Sequence, residues 1–489
     1  MSQTPLAGLG ERLLTTLGHV PTEGQRRAAN ALERLLATER DHATLVLKGY
    51  AGTGKTTLVG ALVKVLAKER RGVVLLAPTG RAAKVLSSYA QADASTIHRR
   101  IYRVSGDDDE GGYAGMNIAP NRDGGALFVV DEASMIGQGG GGTGAFGDRD
   151  LLSDLFQHVF SSSGNKLLLI GDPAQLPPVG SDHSPALEVK DLGALGLTAG
   201  SIELTDVVRQ ASASGILVNA TALRGTLASM PMEALPKGQM PEVIPAFLTG
   251  YPDVERIEGN DLQDALEQAF ATHGDDEVCL ICRSNKRAYQ YSQQVRARIH
   301  GFEEELVAND RLMVVKNNYF WAGQSGRAEL IANGEPITVK RVHGVEQKYG
   351  LRFADITAEW WNGQEMRELD VKVILDVLAS EGPALPGPSM KLLAQTVLGG
   401  IVARTKGERF RLFKQDPYAN ALQVKYAYAV TCHKAQGGQW KSVFVDQGYV
   451  TEDMIDREYV RWLYTAVTRA SEKLYLLNFH PRFFGEEES

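Results

Sequence analysis

The strongest chemical signal in the sequence is the eight-residue run Gly49-Tyr50-Ala51-Gly52-Thr53-Gly54-Lys55-Thr56. It matches the pattern GxxxxGK[ST] and lies between an apolar run and an amphipathic stretch, which predicts a strand, a loop and a helix. Glycines allow backbone N–H groups to converge on phosphate oxygens, and a helix start adds a positive field. The lysine would reach the β- and γ-phosphates and the last threonine would ligate Mg²⁺. The run therefore predicts a nucleoside triphosphate site.

Two further apolar runs end in residues that suit hydrolysis. Residues 127–130 are followed by Asp131 and Glu132, and ligands bind at the carboxyl ends of strands in open parallel sheets. We expect Asp131 to hold Mg²⁺ and Glu132 to orient or deprotonate the attacking water, with a helix N-cap as the structural alternative. Residues 167–170 lead to Gln175, which either contacts the γ-phosphate and the water or only forms a turn.

The elements that must position these residues follow a repeating pattern between residues 44 and 209. Short, almost continuous apolar runs alternate with turns and helix-like segments, which is typical of parallel strands covered on both faces. The predicted strands are residues 44–47, 73–77, 127–130 and 167–170. A second α/β unit is predicted to begin near Val278 and to resume with strands at residues 425–430, 442–445 and 474–477.

Two segments with a different pattern interrupt these units. Residues 101–125 are predicted to form an inserted hairpin around the acidic run 107–110. Residues 321–406 carry the turn signals Asn333-Gly334 and Asn362-Gly363 between alternating residues, which predicts a small antiparallel insert followed by a short helix from Met390.

Composition limits the class of protein. At roughly 150 residues per domain, 489 residues predict about three domains. A hydrophobic fraction of 43% and a charged fraction of 23% exclude disordered and fibrous chains. The net charge of −7 excludes a polybasic chain, so any phosphate backbone must bind in a local groove.

Cysteine content and hydropathy bear on the compartment. Three cysteines cannot form a disulfide framework, and no leader or membrane-length apolar run is present, so we expect a cytoplasmic protein. Cys279 and Cys282 have CxxC spacing, but on a strand this separation places them on opposite faces, which argues against zinc.

The order of motifs resembles the superfamily 1B helicases, most closely their RecD-like and Dda-like branch, over about residues 20 to 478. The motifs are Gln25 in PTEGQ, the phosphate-binding run, APTGR at 77–81, TIH at 96–98, DEAS at 131–134, GDPAQLP at 171–177, LT at 204–205 with Arg209-Gln210, AVTCHKAQG at 429–437 and YTAVTRA at 464–470.

This resemblance implies an α/β fold of two RecA-like P-loop domains with an inserted β-hairpin and an inserted small, SH3-like β-barrel. The implied boundaries are 1–225 for the N-terminal RecA-like domain with its hairpin at about 99–125, 226–320 for a connector and the first part of the second RecA-like domain, 321–406 for the barrel with its short helix, and 407–489 for the remainder of the second domain.

The resemblance also implies a role for each matching residue. The catalytic set is Lys55, Glu132, Gln175, Arg209 and Arg469. The ATP-binding set is Gln25, Gly52, Thr53, Gly54, Lys55, Thr56, Thr57 and Gln436, and Mg²⁺ would lie at Thr56 and Asp131. The set for single-stranded DNA is Thr79, His98, Thr431, His433 and Lys434. Surface salt bridges are the structural alternative for the two arginines, and barrel core rather than base stacking is expected for Trp321, Trp360 and Trp361.

The function implied is an ATP-dependent DNA helicase that moves 5′ to 3′ on single-stranded DNA, unwinds forked duplex and acts as a monomer, with a single-strand-binding or recombination protein as a partner. The alternatives are an ATP-switched clamp that binds single strands without unwinding, and a motor subunit of a recombination or nuclease complex. Two segments depart from the family pattern. The acidic hairpin turn would repel phosphate, and the glycine-rich run 137–147 has no chemical role that we can assign.

Overall fold

The computed structural model describes residues 8–104, 116–138, 150–207, 213–231, 244–322, 330–362 and 365–486. Arg209, the acidic turn 107–110 and residues 139–147 of the glycine-rich run lie outside the described residues. The described part contains two parallel sheets flanked by helices, a two-stranded hairpin and a closed five-stranded barrel. The predicted fold class is therefore confirmed.

The first α/β unit is built on a six-stranded sheet in the order β3-β2-β6-β7-β1-β8, with all neighbours parallel. Its strands and those of the hairpin are β1 (Ala43–Gly49), β2 (Val73–Ala77), β3 (Ala94–Thr96), β4 (Tyr102–Val104), β5 (Met116–Ile118), β6 (Leu127–Val130), β7 (Lys166–Gly171) and β8 (Thr198–Leu204). Its helices are α1 (Leu9–Thr16), α2 (Glu23–Ala37), α3 (Lys55–Lys68), α4 (Gly80–Ala90), α5 (Ile97–Ile101), α6 (Leu151–Phe160), α7 (Val189–Ala194) and α8 (Gly215–Ser229).

The second α/β unit has a five-stranded parallel sheet in the order β16-β10-β17-β18-β9. The closed barrel consists of the five strands β11, β12, β13, β14 and β15. The strands are β9 (Val254–Ile257), β10 (Val278–Cys282), β11 (Arg311–Val314), β12 (Pro336–Lys348), β13 (Leu351–Trp361), β14 (Met366–Ile374), β15 (Leu422–Tyr426), β16 (Ala429–Thr431), β17 (Trp440–Asp446) and β18 (Ala470–Leu477). The helices are α9 (Leu262–His273), α10 (Asn285–Arg298), α11 (Leu375–Ala379), α12 (Gly387–Gly400), α13 (Lys406–Lys414), α14 (Cys432–Ala435) and α15 (Arg457–Val467).

Central strands follow the sequence prediction and edge strands do not. The four strands predicted in the first unit correspond to β1, β2, β6 and β7, all buried in the interior of the sheet. The sequence pattern missed β3, β8 and β9, each at the edge of a sheet. An edge strand keeps one side partly exposed, so its residues do not form the continuous apolar run that marks a central strand.

The strand predicted at residues 425–430 is wrong. The chain there belongs to two sheets, because β15 closes the barrel and β16 pairs with β10 of the second unit. Only Ala427 and Tyr428 separate the two strands. An unbroken apolar pattern shows burial but not the sheet to which each residue pairs, which explains the error. The barrel also takes β11 and β15 from outside the predicted insert at 321–406.

An ion pair joins the first unit to the barrel. Arg99 of α5 lies at the root of the hairpin and donates to the carbonyl oxygens of Asn362 and Leu330 and, at 3.3 Å, to Oε1 of Glu335. The other oxygen of Glu335 accepts from Trp360 Nε1 at 2.6 Å. Burial raises the pKa of Glu335 to about 7, although Arg99 and Trp360 act against this shift. The contact therefore places a carboxylate inside the protein with Arg99 as its compensating charge.

We predict that Arg99→Leu destabilises the protein more at pH 8 than at pH 5.5. Removing one partner of a buried ion pair costs about 3–5 kcal/mol, because the remaining charge is left uncompensated. A carboxyl group whose folded pKa is raised is protonated at the lower pH, so the cost there is smaller. Thermal unfolding at both pH values measures the difference. Adding Glu335→Gln to the variant should remove most of the pH dependence, and an unchanged pH dependence would contradict this account.

Candidate functional site

Three neighbouring strands bring the predicted catalytic residues to one edge of the first sheet. β6, β7 and β1 are adjacent and parallel, so the acidic pair after β6, the turn after β7 and the phosphate-binding loop after β1 meet at their carboxyl ends. Gly52 and Gly54 in the loop have φ values of 75° and 82°. These left-handed conformations favour glycine and turn the loop sharply into α3. The sequence-predicted site is thus assembled by the central strands.

Lys55 opens α3 and turns back over the loop. Its ammonium group donates to the carbonyl oxygens of Gly49 and, at 2.9 Å, Tyr50, and lies 3.9 Å from Oδ2 of Asp172. Thr56 and Thr57 follow on the exposed side of the helix start. The loop thus offers a cation, exposed hydroxyl groups and a helix N-terminus at one place, which fits a bound triphosphate with Mg²⁺ at Thr56.

The acidic pair after β6 is set in a strained turn. Glu132 has a φ of 52°, which directs the chain into a short 3₁₀ helix. Asp131 accepts a hydrogen bond from the hydroxyl of Tyr89 and another, at 2.9 Å, from the backbone N–H of Glu132. Burial, followed by the nearby charge of Glu132, raises the pKa of Asp131 to about 6. A carboxylate held in this environment suits a divalent cation, which would favour its charged form.

The second unit reaches this site through α15. The hydroxyl of Tyr464 accepts from the backbone N–H of Ala51 in the phosphate-binding loop at 2.9 Å and donates to Oδ2 of Asp172 at 2.6 Å. The next residue of the same helix, Thr465, accepts with its Oγ1 from the N–H of Leu176 at 2.9 Å. Burial and the charge of Asp172 raise the pKa of Tyr464, so the phenol keeps its proton and donates it. One helix is therefore bonded to two loops of the other unit.

Arg469 completes the contact between the units. Its guanidinium is buried, is held by the carbonyl oxygens of Thr465 and Gly438, and lies 3.6 Å from Oε1 of Glu132. The arginine of one unit is thus next to the candidate water-activating carboxylate of the other. A surface salt bridge, the structural alternative, does not describe this buried position.

The three glutamines of the predicted site, Gln25, Gln175 and Gln436, are all buried. Gln436 donates to the carbonyl oxygen of Leu176 at 2.8 Å. Gln175 Oε1 and Gln25 Nε2 are buried and find no hydrogen-bond partner in the described part of the chain. Gln25 Oε1 accepts from the N–H of Thr22 at 3.1 Å and so closes the capping box of α2. Unsatisfied buried polar atoms are costly, and a bound nucleotide would supply partners for both amides.

The predicted DNA-contact residues lie at helix starts on both units. Thr79 caps α4 by accepting from the N–H of Ala82 at 3.2 Å, and Thr431 precedes α14 without making such a bond. A Cβ added to Gly437 would lie 2.7 Å from Ala82 and 3.3 Å from Thr79. The AVTCHKAQG segment therefore packs directly on the APTGR segment, and Gly437 cannot be enlarged.

Burial changes the charge expected on the basic members of this set. Burial lowers the pKa of His98 to about 4 and lowers that of His433. Burial and the neighbouring Lys425 lower the pKa of Lys434 to about 8. Both histidines are therefore neutral at pH 7, so they can donate hydrogen bonds to phosphate without adding positive charge.

The three tryptophans of the insert have different environments. Trp360 is buried in the barrel core, as expected. Trp321 packs against Phe320 and donates to the carbonyl oxygen of Asn420 at 2.8 Å. Trp361 lines an open cleft of about 420 Å³ between the barrel, α4 and the second sheet, together with Arg81, Lys84 and Thr96. Trp361 is thus the tryptophan placed to meet a ligand, which barrel core alone did not predict.

Sequence reasoning missed the roles of Tyr464, Thr465, Asp172 and Tyr89. Three of them lie inside quoted motifs, Tyr464 and Thr465 in YTAVTRA and Asp172 in GDPAQLP. The sequence does not show that these motifs bond to each other. Tyr89 lies on α4 and the acid that it contacts, Asp131, follows β6, and the sequence carries no signal for this contact.

The described helices include none that could cross a membrane. Cys279 and Cys282 are buried, and the described residues hold no group of three metal-ligating side chains. Burial raises the pKa of both thiols, which makes them poor metal ligands.

Comparison with known proteins gives two family matches. Residues 21–235 match the AAA domain and residues 426–477 match the UvrD-like helicase C-terminal domain. The ATP-dependent RecD2 DNA helicase of Deinococcus radiodurans is 32% identical over 42% of this chain, but the match spans only 25% of that protein. The ATP-dependent DNA helicase dda of Enterobacteria phage T4 is 23% identical over 72% of this chain and 77% of its own length. A Pif1 helicase structure from Bacteroides is 14% identical, covers 94% of this chain and 93% of its own chain, and has a TM-score of 0.42.

The two family matches and the sequence similarity to the RecD2 and dda helicases confirm the resemblance to the superfamily 1B helicases. The two matched segments carry the residues that meet across the cleft, with the phosphate-binding loop and Glu132 in the first and Tyr464 and Arg469 in the second. The first unit is a nucleotide-binding domain.

We predict that Tyr464→Phe lowers the maximal rate of ATP hydrolysis at least about tenfold and changes KM for ATP less. The lost bond to a charged acceptor corresponds to about 1.5–3 kcal/mol, and about 1.4 kcal/mol is a factor of ten in rate. Steady-state kinetics in the presence of single-stranded DNA measure both constants. Tyr459→Phe is the matched control, because Tyr459 is a buried tyrosine of the same helix whose hydroxyl accepts from Gln447 of the second unit at 3.2 Å. Equal effects of the two substitutions would contradict the role assigned to Tyr464.

Proposed function

We propose that this protein is an ATP-dependent DNA helicase that moves 5′ to 3′ along single-stranded DNA and unwinds forked duplex. The observation that carries the proposal is the position of Arg469, 3.6 Å from Glu132 across the cleft between the units. A switch that only binds ATP has no need of an arginine from one unit beside a candidate general base from the other. Turnover coupled to cleft movement does need both groups.

Each residue of the candidate site has a separate role in this proposal. Lys55 and the N–H groups of the loop bind the phosphates, and Glu132 orients and deprotonates the attacking water, with Gln175 beside it. Arg469 stabilises the negative charge that develops on the transferred phosphoryl group, and Gln436 and Gln25 complete the nucleotide site. Thr56 and Asp131 would hold Mg²⁺, which neutralises phosphate charge when bound. Arg209 stays a second candidate arginine by resemblance.

Single-stranded DNA would bind away from the phosphate site. We assign it to the helix starts at Thr79 and Thr431 and to His98, His433 and Lys434. Hydroxyl groups, neutral imidazoles and one lysine contact the backbone without reading bases, which suits a motor that must pass every sequence. Since Thr79 and Gly437 pack together, closing or opening the cleft would change the distance between the two grips.

Two single-strand-binding sites, one on each unit, move the protein along DNA only if their affinities for the strand alternate during the ATP cycle. The direction of movement does not follow from the ATPase residues, which motors of both polarities share. The 5′ to 3′ direction rests on the resemblance to the RecD-like and Dda-like branch, together with the hairpin before Asp131 and the barrel before Thr431.

We predict that Glu132→Gln keeps ATP binding and reduces hydrolysis at least about a hundredfold, since general base catalysis contributes about 10²–10⁴ in rate. Binding of a fluorescent ATP analogue and release of phosphate measure the two properties. Glu258→Gln, at an exposed glutamate of the second unit, is the control and should behave as the wild type. Hydrolysis near the wild-type rate in Glu132→Gln would remove Glu132 from the mechanism.

We predict that duplexes with a 5′ single-stranded tail are opened, whereas blunt and 3′-tailed duplexes are opened much more slowly. Strand-displacement assays with these three substrates, and with an RNA tail in place of DNA, measure the preference. Faster opening of 3′-tailed duplexes would overturn the direction and leave the helicase assignment standing. Strong DNA-stimulated hydrolysis without strand separation on any substrate would favour the ATP-switched clamp.

A further inference from the structure

The segment between the last two strands of the barrel carries a charge opposite to that of the whole chain. Residues 387–414, which contain α12 and α13, hold six Lys and Arg against one Glu, a net charge of +5 in a chain of net charge −7. Five of these cations are exposed: Lys391, Arg404, Lys406, Arg409 and Arg411. The segment is thus a strong local positive field on an acidic protein.

The cations of this segment have no acidic partner in the described part of the chain. None of the five exposed side chains forms an ion pair there. The one acid of the segment, Glu408, is already used, because its carboxylate accepts from the backbone N–H of Arg404 at 2.8 Å at the start of α13. The positive charge is therefore available to a partner.

The inner face of the segment is fixed to the barrel. Leu393 and Val397 of α12 are buried in a cluster with Phe353 and Val377, and Phe413 packs against the same cluster. Phe410 and Phe413 stack on each other at 6.2 Å, with Lys414 4.9 Å above the Phe410 ring. The segment therefore presents an ordered outer face rather than a loose loop.

The outer face is also apolar. Leu392 is 60% exposed, Val402 94% and Leu412 37%, and α13 contains no buried residue. Single exposed apolar residues are ordinary, but three among five unpaired cations within 28 residues form a mixed surface. Phosphodiester backbone would pair with the cations and leave these aliphatic groups in water. The Phe rings, which face each other, are not free to stack on bases.

We propose that the outer face of α12 and α13 is a docking surface for an acidic protein segment that carries apolar side chains. Carboxylates would pair with Arg404, Arg409 and Arg411, and apolar side chains would cover Leu392 and Leu412. Complementary charge steers such a segment to the surface, and burial of aliphatic area, at about 25 cal/mol per Å², holds it there. This surface is separate from the ATP site, so the inference does not depend on the helicase assignment.

The test measures binding of fluorescein-labelled peptides to the full chain by anisotropy at low salt. One peptide alternates Asp and Glu with Leu and Phe, and the second has Ser in place of every Leu and Phe. A blunt DNA duplex is the third probe. We expect the acidic apolar peptide to bind at least about tenfold more tightly than the Ser peptide. Arg409→Glu with Arg411→Glu should weaken its binding about tenfold or more.

Matched variants exclude a general effect of charge. Lys64→Glu with Lys190→Glu makes the same change in charge at two exposed lysines on other faces and should leave peptide binding unchanged. Thermal unfolding checks that both double variants fold. Leu392→Ser with Leu412→Ser should weaken binding of the acidic apolar peptide and leave binding of the Ser peptide unchanged. Three outcomes would overturn the proposal: no binding of either peptide, equal binding by Arg409→Glu with Arg411→Glu and the wild type, or a duplex that binds this face more tightly than the apolar peptide does.

Discussion

The buried carboxylate of Asp172 lies where the two α/β units meet, and the contact between the units depends on how its charge is compensated. Burial raises its pKa, and three groups act in the opposite direction: Lys55 from the phosphate-binding loop, the N–H of Ala174 from its own turn, and the hydroxyl of Tyr464 from the second unit. Removing any one of them leaves a charge in a water-poor place, which is expensive. The same contact that satisfies Asp172 also fixes α15, and with it Arg469, against the first unit.

Much of the candidate site could be predicted from the sequence, because its polar residues directly follow the apolar runs of the central strands. Continuous apolar runs marked β1, β6 and β7, and the polar residues that follow them are the ones that meet at the edge of the sheet. What could not be predicted is pairing over long distances in sequence. Nothing in the alternation of residues assigns β15 to the barrel and β16 to the second sheet, and nothing indicates that Tyr89 contacts Asp131. Edge strands were missed for a related reason, since they carry less apolar surface.

The proposed nucleotide site and the proposed single-strand contacts consist of groups of different character. At the phosphate-binding loop, full charges face each other, with Lys55 and Arg469 against Asp172 and Glu132. The proposed single-strand contacts are instead hydroxyl groups, two histidines whose pKa values burial has lowered, and the single lysine Lys434. Weak, mostly uncharged contacts can be released and remade in each cycle, whereas a row of arginines would hold one position too firmly. The strong positive field of the molecule lies elsewhere, on α12 and α13.

The two-residue link between β15 and β16 attaches the barrel closely to the second unit. Tyr428 in this link is buried, its hydroxyl accepts from the N–H of Arg311 at the start of β11, and Arg296 of α10 forms a bidentate pair with the adjacent Asp310. The barrel is therefore clamped at both of its chain connections and must turn with the second sheet as one body. Its far side touches the first unit at Arg99. Any rotation that opens the cleft between the units would then displace the barrel relative to the root of the hairpin. The position of the hairpin would therefore depend on the state of the nucleotide.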